Sequence, residues 1–280
     1  MTAPSIRQWA SRSGLTVAIV AFCFVSIAPL LWVIRMSLLR PIDLFASPPQ
    51  VLPGNWTLES YRTIFTTGHF GRAVLNSLVV SGATTGLCLM LAALAAYAIA
   101  RLHFRWRGGA LTLILALTFF PGVAIIAPLF LQFRTLDIIN TYWALIIPNT
   151  VFALPLTTWL LVAFFRDLPV ELEDAAKVDG ATPLRALRDI IVPLAAPGVF
   201  TAALLTFIFA WNEYLFANTF SYDESVRPVT VVIPNYATQY STDYGAQAAA
   251  SVLVTLPLVV LVLIFQRRIV AGLTAGAVKG

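Results

Sequence analysis

Charge is what this chain has least of. Only 11% of its 280 residues are Asp, Glu, Lys or Arg, and 59% are hydrophobic. A soluble domain carries about a quarter charged residues, so the balance excludes an ordinary soluble domain and indicates a membrane protein. Lysine is scarcer still: Lys177 and Lys279 are the only two. Lys177 follows Ala176 and Lys279 follows Val278, so neither can close a Gly-Lys-Ser/Thr phosphate loop, and ATP hydrolysis must come from another polypeptide. Two cysteines, Cys23 and Cys88, lie in apolar runs and read as packing residues, not as a disulfide. His69 and His103 are isolated, and no His/Cys/Asp/Glu cluster has metal-ligand spacing, so no metal site is expected. There is no Gly-x-Ser-x-Gly elbow, no His-Glu-x-x-His and no carboxylate pair on one helix face, so the chain does not read as an enzyme. The net charge of +5 is spread without a basic cluster, which argues against a nucleic-acid partner.

What the chain has is hydrocarbon in long runs. A spanning helix needs roughly 20 apolar residues. Six segments qualify: about Leu15–Ile34, Val74–Ala100, Ala110–Phe133, Trp143–Phe165, Pro197–Phe220 and Ala246–Phe265. The expected fold is therefore an all-α membrane protein of six transmembrane helices. Residues 1–14 form the N-terminal segment, 15–266 the helical domain and 267–280 the C-terminal tail. Prolines at 29, 121, 128, 148, 155 and 257 fall in or near the spans, where each can kink a helix. Arg7 and Arg12 before the first run suggest an uncleaved signal-anchor.

Orientation follows from Lys and Arg. With both termini cytoplasmic, twelve basic residues fall inside and six outside, and the short loop with Arg101, Arg105 and Arg107 is the strongest vote. The chain then reads as multi-pass in a plasma membrane. The first outer loop, from about Met36 to Arg72, holds Thr57 as N-cap of a short helix through Phe65, with Glu59 in its first turn. Asn55-Trp56-Thr57 also matches a glycosylation sequon.

The segment 167–193, between the fourth and fifth spans, is charged, proline-bounded and glycine-broken. Asp167 can cap and Pro169 suits a first turn. Glu171, Glu173 and Asp174 favour the helix dipole. Leu172, Ala175 and Ala176 share a face, and Gly180 can take the left-handed conformation that ends the helix. Thr182-Pro183 restarts a helix whose apolar face is Leu184, Leu187 and Ile191, and Pro193 stops it. The pattern leaves two readings open: a helix that inserts into a partner's cleft, or a connector lying on headgroups.

Asp174-Ala175-Ala176, three residues, Gly180, nine residues, Ile190, one residue and Val192-Pro193 resemble the EAA loop of membrane subunits of ATP-binding-cassette importers. The family pattern is EAA-x3-G-x9-I-x-LP, from which Asp174 and Val192 depart conservatively. Asn55 to Tyr61, Asn76-Ser77-Leu78, Trp211-Asn212-Glu213-Tyr214 and Gly272 to Gly280 extend the likeness to the MalG-type carbohydrate branch. The resemblance implies a bacterial inner-membrane permease subunit that forms half of a sugar path and works by alternating access. It implies a cytoplasmic coupling helix between spans four and five, with ATPase contacts at Glu171, Asp174, Ala175, Ala176, Asp179 and Gly180. It also implies a C-terminal ATPase contact at Gly272, Leu273, Thr274 and Gly276, where a frayed tail is the alternative. The implied partners are an ABC ATPase dimer holding ATP and Mg, a second homologous permease subunit, an extracytoplasmic sugar-binding protein and the bilayer. No cofactor is implied for this chain. A disaccharide such as trehalose or maltose is the expected cargo, and glycerol-3-phosphate is disfavoured by the lack of an anion site.

Glu213 is the one formal charge well inside an apolar run, between Asn212 and Tyr214. Such residues are costly and face a bundle interior or a wet cavity. Asn212, Glu213, Tyr214 and Asn76 are candidate path residues, although interhelical glue is the first reading of Glu213, and Asn76, Ser77, Asn149 and Tyr97 read first as helix–helix hydrogen bonds. An ion-coupled secondary transporter using Glu213 is the rival function. Gly82-Ala83-Thr84-Thr85-Gly86 reads as internal packing, with a subunit interface as the alternative.

Overall fold

In lipid the backbone must satisfy its own hydrogen bonds, so apolar runs of this length form helices. The computed structural model describes residues 6–46, 56–66, 69–236 and 242–275, with side chains placed between 14 and 266, and it is helical throughout. In chain order the helices are α1 (Ile6–Ser37), α2 (Glu59–Thr66), α3 (Phe70–Arg101), α4 (Arg107–Ala116), α5 (Gly122–Thr135), α6 (Tyr142–Asp167) and α7 (Glu171–Val178). There follow α8 (Pro183–Ala186), α9 (Val192–Leu194), α10 (Ala196–Trp211), α11 (Leu215–Phe220), α12 (Val229–Val232) and α13 (Tyr244–Ala275). Among the described residues, α1, α3, α6 and α13 are long and apolar enough to span a membrane. Two bent pairs bring the number to six if each is one span.

Two of the six expected runs are not continuous helices. The third run is split at Phe120–Pro121, where the two helical stretches meet at 89°. Phe120 and Pro121 are both extended, because proline has no N–H to donate and disfavours helix in the residue before it. The fifth run is preceded by one break and split by another. Residues 183–194 meet α10 at 85° across Ala195, two residues beyond the proline expected to stop the helix. Then α10 ends at Trp211 and α11 begins at Leu215, so Pro197–Phe220 is not one helix.

The chain divides into two compact units. The first comprises residues 1–68 and 233–254. Within it, Thr57 caps α2 as expected, its hydroxyl accepting from the N–H of Glu59 at 3.1 Å. The Ser37 and Tyr61 hydroxyls meet at 2.8 Å, and Leu39 and Ile64 are buried. The Asp243 carboxylate caps α13 by accepting from the N–H of Ala246 at 2.9 Å. Asn55 of the sequon lies outside the described residues.

The second unit, residues 69–232 and 255–280, is built on α3, α6 and α10. One core joins Ala92, Ala96, Leu161, Val162, Phe165, Leu187, Ile191 and Ala202. The other joins Val80, Phe133, Leu145, Phe216 and Phe220. Alanines on α3 let α6 approach closely, as lipid-embedded packing requires. Thr157 on α6 and Thr206 on α10 share a buried hydrogen bond of 2.7 Å. Gly82 and Gly86 do not join this packing: both are exposed and a Cβ at either would meet nothing within 4 Å. Internal packing is therefore the wrong reading of that stripe.

Candidate functional site

Helix α7 forms where the sequence predicts it, but its start differs. Asp167 is the last residue of α6, and the α7 N-cap is Val170, with no side-chain cap. The end follows the prediction closely. Gly180 has φ +83°, its N–H donates to Lys177 O at 3.0 Å, and Ala181 N–H donates to Ala176 O at 2.9 Å. Those two bonds form a Schellman motif, which a left-handed glycine permits at least cost. Thr182 then caps α8, accepting from Arg185 N–H at 3.3 Å, with Pro183 at the first helical position.

The exposed side of α7 carries Glu171, Leu172, Asp174, Ala175, Val178 and Asp179, followed by Gly180. Val178 is 88% exposed, an apolar side chain that nothing among the described residues covers. The predicted Leu172–Ala175–Ala176 face is split: Leu172 and Ala175 point out, while Ala176 is buried against its own chain. A helix turn of 100° separates Ala175 from Ala176, and the interior takes Ala176. In the next stretch Leu187 and Ile191, at the two ends of a π turn, are buried, but Leu184 is exposed.

The buried residue sharing the Ala176 side is Glu173, which is not among the expected ATPase contacts. It is 2% exposed. Its carboxylate accepts from the Tyr97 hydroxyl at 2.7 Å and faces Lys177 Nζ at 3.1 Å and Arg101 Nε at 3.7 Å. Arg101 also donates to Leu168 O at 2.8 Å. The Lys177 ammonium is pushed up from its usual range by its hydrogen bonds to Glu173 and then Asp174. The sequence did carry a signal for this cluster, in Glu173 and Lys177 four residues apart on one helix.

Glu213 sits in a break, not inside a span. Its carboxylate accepts from the N–H groups of Phe216 at 2.7 Å and Ala217 at 3.0 Å, so it caps α11. Its carbonyl oxygen accepts from the Thr230 hydroxyl at 2.8 Å. Within the chain, the carboxylate is therefore held by local backbone donors. Asn212 and Tyr214 flank it and are exposed.

Asn76, a candidate path residue read first as a helix–helix hydrogen bond, is buried and bonded inside the chain. It accepts from the Tyr142 hydroxyl at 2.7 Å and donates to Arg227 O at 3.0 Å. A cavity of about 240 Å³ opens beside the break between α4 and α5, lined by Thr118, Phe152, Thr157, Thr206 and Phe209 among others. Gly272, Leu273 and Thr274 continue α13, which runs to Ala275, and Gly276 lies outside the described residues.

The fold is that of a helical membrane protein holding an exposed, glycine-terminated helix between two spanning elements. Residues 88–274 match the binding-protein-dependent transport system inner membrane component, and the chain belongs to that family. It is 43% identical to the trehalose transport system permease protein SugB of Mycobacterium tuberculosis, over 91% of this chain and 93% of that one. It is 38% identical to the sulfoquinovosyl glycerol transport system permease protein SmoH of Agrobacterium fabrum, over 100% and 98%. Among solved structures, a bacterial ABC transporter involved in import of the acidic polysaccharide alginate superposes with a TM-score of 0.82 at 20% identity, covering 95% of this chain and 99% of that one. The protein is a multi-pass permease subunit of an ATP-binding-cassette importer, a transport component whose ATPase is a separate subunit.

Proposed function

We propose that this permease forms half of the path of a sugar importer, with a disaccharide such as trehalose as cargo. The 43% identity to a trehalose permease over nine-tenths of the chain carries the sugar class. Both termini and the α7 segment lie in the cytoplasm in this reading, on the strength of the basic-residue asymmetry. The exposed face of α7, from Glu171 through Asp174, Ala175 and Asp179 to Gly180, docks into a cleft of an ABC ATPase that holds ATP and Mg. Gly272, Leu273, Thr274 and Gly276 contribute a second ATPase contact.

Closure of the ATPase pair on ATP moves α7, and the spans rock between inward and outward access. ATP drives this only by binding the closed state better, and α7 transmits that bias. A binding protein delivers sugar on the outer side. A second homologous permease completes the path, and the exposed Gly82–Gly86 stripe offers a surface another helix can approach closely. Asn212 and Tyr214, at the break beside Glu213, supply an amide and an aromatic face suited to a sugar.

Purification from the native membrane in mild detergent, with the companions identified by mass spectrometry, tests the reading. An ABC ATPase and a second permease are expected; recovery of no ATPase under any condition overturns it. Asp174→Lys is expected to abolish uptake and ATPase coupling while sugar capture by the binding protein persists, and normal uptake would remove the docking role. Uptake of labelled trehalose and maltose that is unchanged when the gene is deleted would rule out the disaccharide.

A further inference from the structure

Glu173 is the one carboxylate of α7 turned into the protein, while Glu171 and Asp174 face out. A buried charge is costly unless it is paired. Lys177 of α7 itself stands 3.1 Å from Glu173, and the end of α3 supplies the Tyr97 hydroxyl at 2.7 Å and the Arg101 guanidinium, whose Nε stands 3.7 Å away. Arg101 holds the turn after α6 as well, through Leu168 O. The last turn of α3 therefore grips both α7 and the segment leading into it.

The opposite end of α3 grips a different segment. Ser77 Oγ accepts from Val229 N–H at 2.9 Å, and Asn76 donates to Arg227 O at 3.0 Å, so residues 227–229 are tied to the start of α3. Asn76 and Tyr97 are 21 positions apart on one helix. At 1.5 Å per residue that is about 31 Å, the thickness of the bilayer's hydrocarbon core. The rod between the two grips is uninterrupted. Pro29 lies inside α1, Pro148 and Pro155 inside α6, and Pro257 inside α13. Of the four described helices long enough to span, α3 alone has no internal proline.

We propose that Glu173 is the positioning residue that fastens α7 to α3, and that α3 is the strut that carries α7's movement across the membrane to residues 227–229. The proposal rests on the importer reading and specifies its mechanical route. If α7 moved without α3, Glu173 would leave Tyr97 and Arg101 and keep only Lys177 of its own helix, so the buried contacts favour the two helices moving as one body. The outer segment then follows through Asn76 and Ser77, where the binding protein is expected to release sugar.

The test uses the transporter purified with its companion subunits and reconstituted in liposomes, with ATP hydrolysis and sugar uptake read in the same vesicles. Wild-type protein that brings no ATPase overturns the importer reading and the strut with it. With the ATPase present, Glu173→Gln and Tyr97→Phe are expected to retain it and its basal hydrolysis, while uptake per ATP falls about tenfold, within the usual range of allosteric coupling. A Tyr97→Cys/Glu173→Cys pair in a Cys23→Ser background is expected to show the same loss, and a bis-maleimide bridging the two thiols to restore uptake. With the ATPase bound, unchanged uptake per ATP in both single variants, or a bridged pair that stays uncoupled, overturns the strut alone.

Discussion

Gly198 on α10 lies flat against the ring of Phe164 on α6. A Cβ added at Gly198 would stand 2.1 Å from that ring, far inside van der Waals contact. The glycine exists there because two helices pass closer than any side chain allows.

Gly198→Ala is therefore expected to force the helices apart and destabilise the protein by about 1–3 kcal/mol, the usual cost of overpacking. The thermal unfolding midpoint in detergent should fall, and Phe164→Leu in the same chain should recover part of the loss. A midpoint unchanged by Gly198→Ala would mean that α6 and α10 are not packed this closely.

Gly180 presents the opposite case. A Cβ there would meet nothing within 4 Å, but φ is +83°. The cost of Gly180→Ala is purely conformational, roughly 1–2 kcal/mol for an L-residue in the left-handed region. Gly180→Asn should cost less, because asparagine tolerates that region, and Gly180→Pro should remove the turn. ATPase retained on the purified permease should follow the order Gly, Asn, Ala, Pro, and equal retention by all four would separate the turn from docking.

Glu213→Ala removes the acceptor for two backbone N–H groups at the start of α11. A lost cap of this kind costs typically ~1 kcal/mol. Glu213→Gln keeps a carbonyl oxygen and is expected to unfold close to wild type. Uptake by the Gln variant should persist and should ignore a collapsed ion gradient. Abolished uptake in a Gln variant that unfolds like wild type would return the residue to a direct part in transport.

Asn76→Ala leaves the Tyr142 hydroxyl and the Arg227 carbonyl without this partner. A buried polar group stranded this way costs about 1–3 kcal/mol. Hydrogen exchange around residues 227–229 should rise more than exchange in α10. Uniform change along the chain would argue that Asn76 supports the fold generally and does not hold that segment.

The α7 unit was legible because its signals are local. Gly180, Thr182 and Pro183 act on their own neighbours within a turn, so cap, stop and restart could be read in order. The long runs were legible as helix for the same reason, since apolar chain in lipid must bond its own backbone, but their breaks were not. Glu213 was misread because hydropathy averages over a window and does not register that a carboxylate can replace three residues of helix with a cap. Pro121 was counted as a kink, although with Phe120 extended before it the chain turns through 89°.

Sequence alone determined the class: a chain poor in charge, with six apolar runs, no phosphate loop and a glycine-hinged helical segment placed to receive work. Tertiary structure decided which side of each helix faces inward. Periodicity grouped Leu172, Ala175 and Ala176, yet only Ala176 is buried, and the acid beside it, Glu173, turns in to meet Tyr97 and Arg101. Nothing within α7 specifies that choice. It follows from partners 76 and 72 positions away, brought to one point by the packing of α3 against α6.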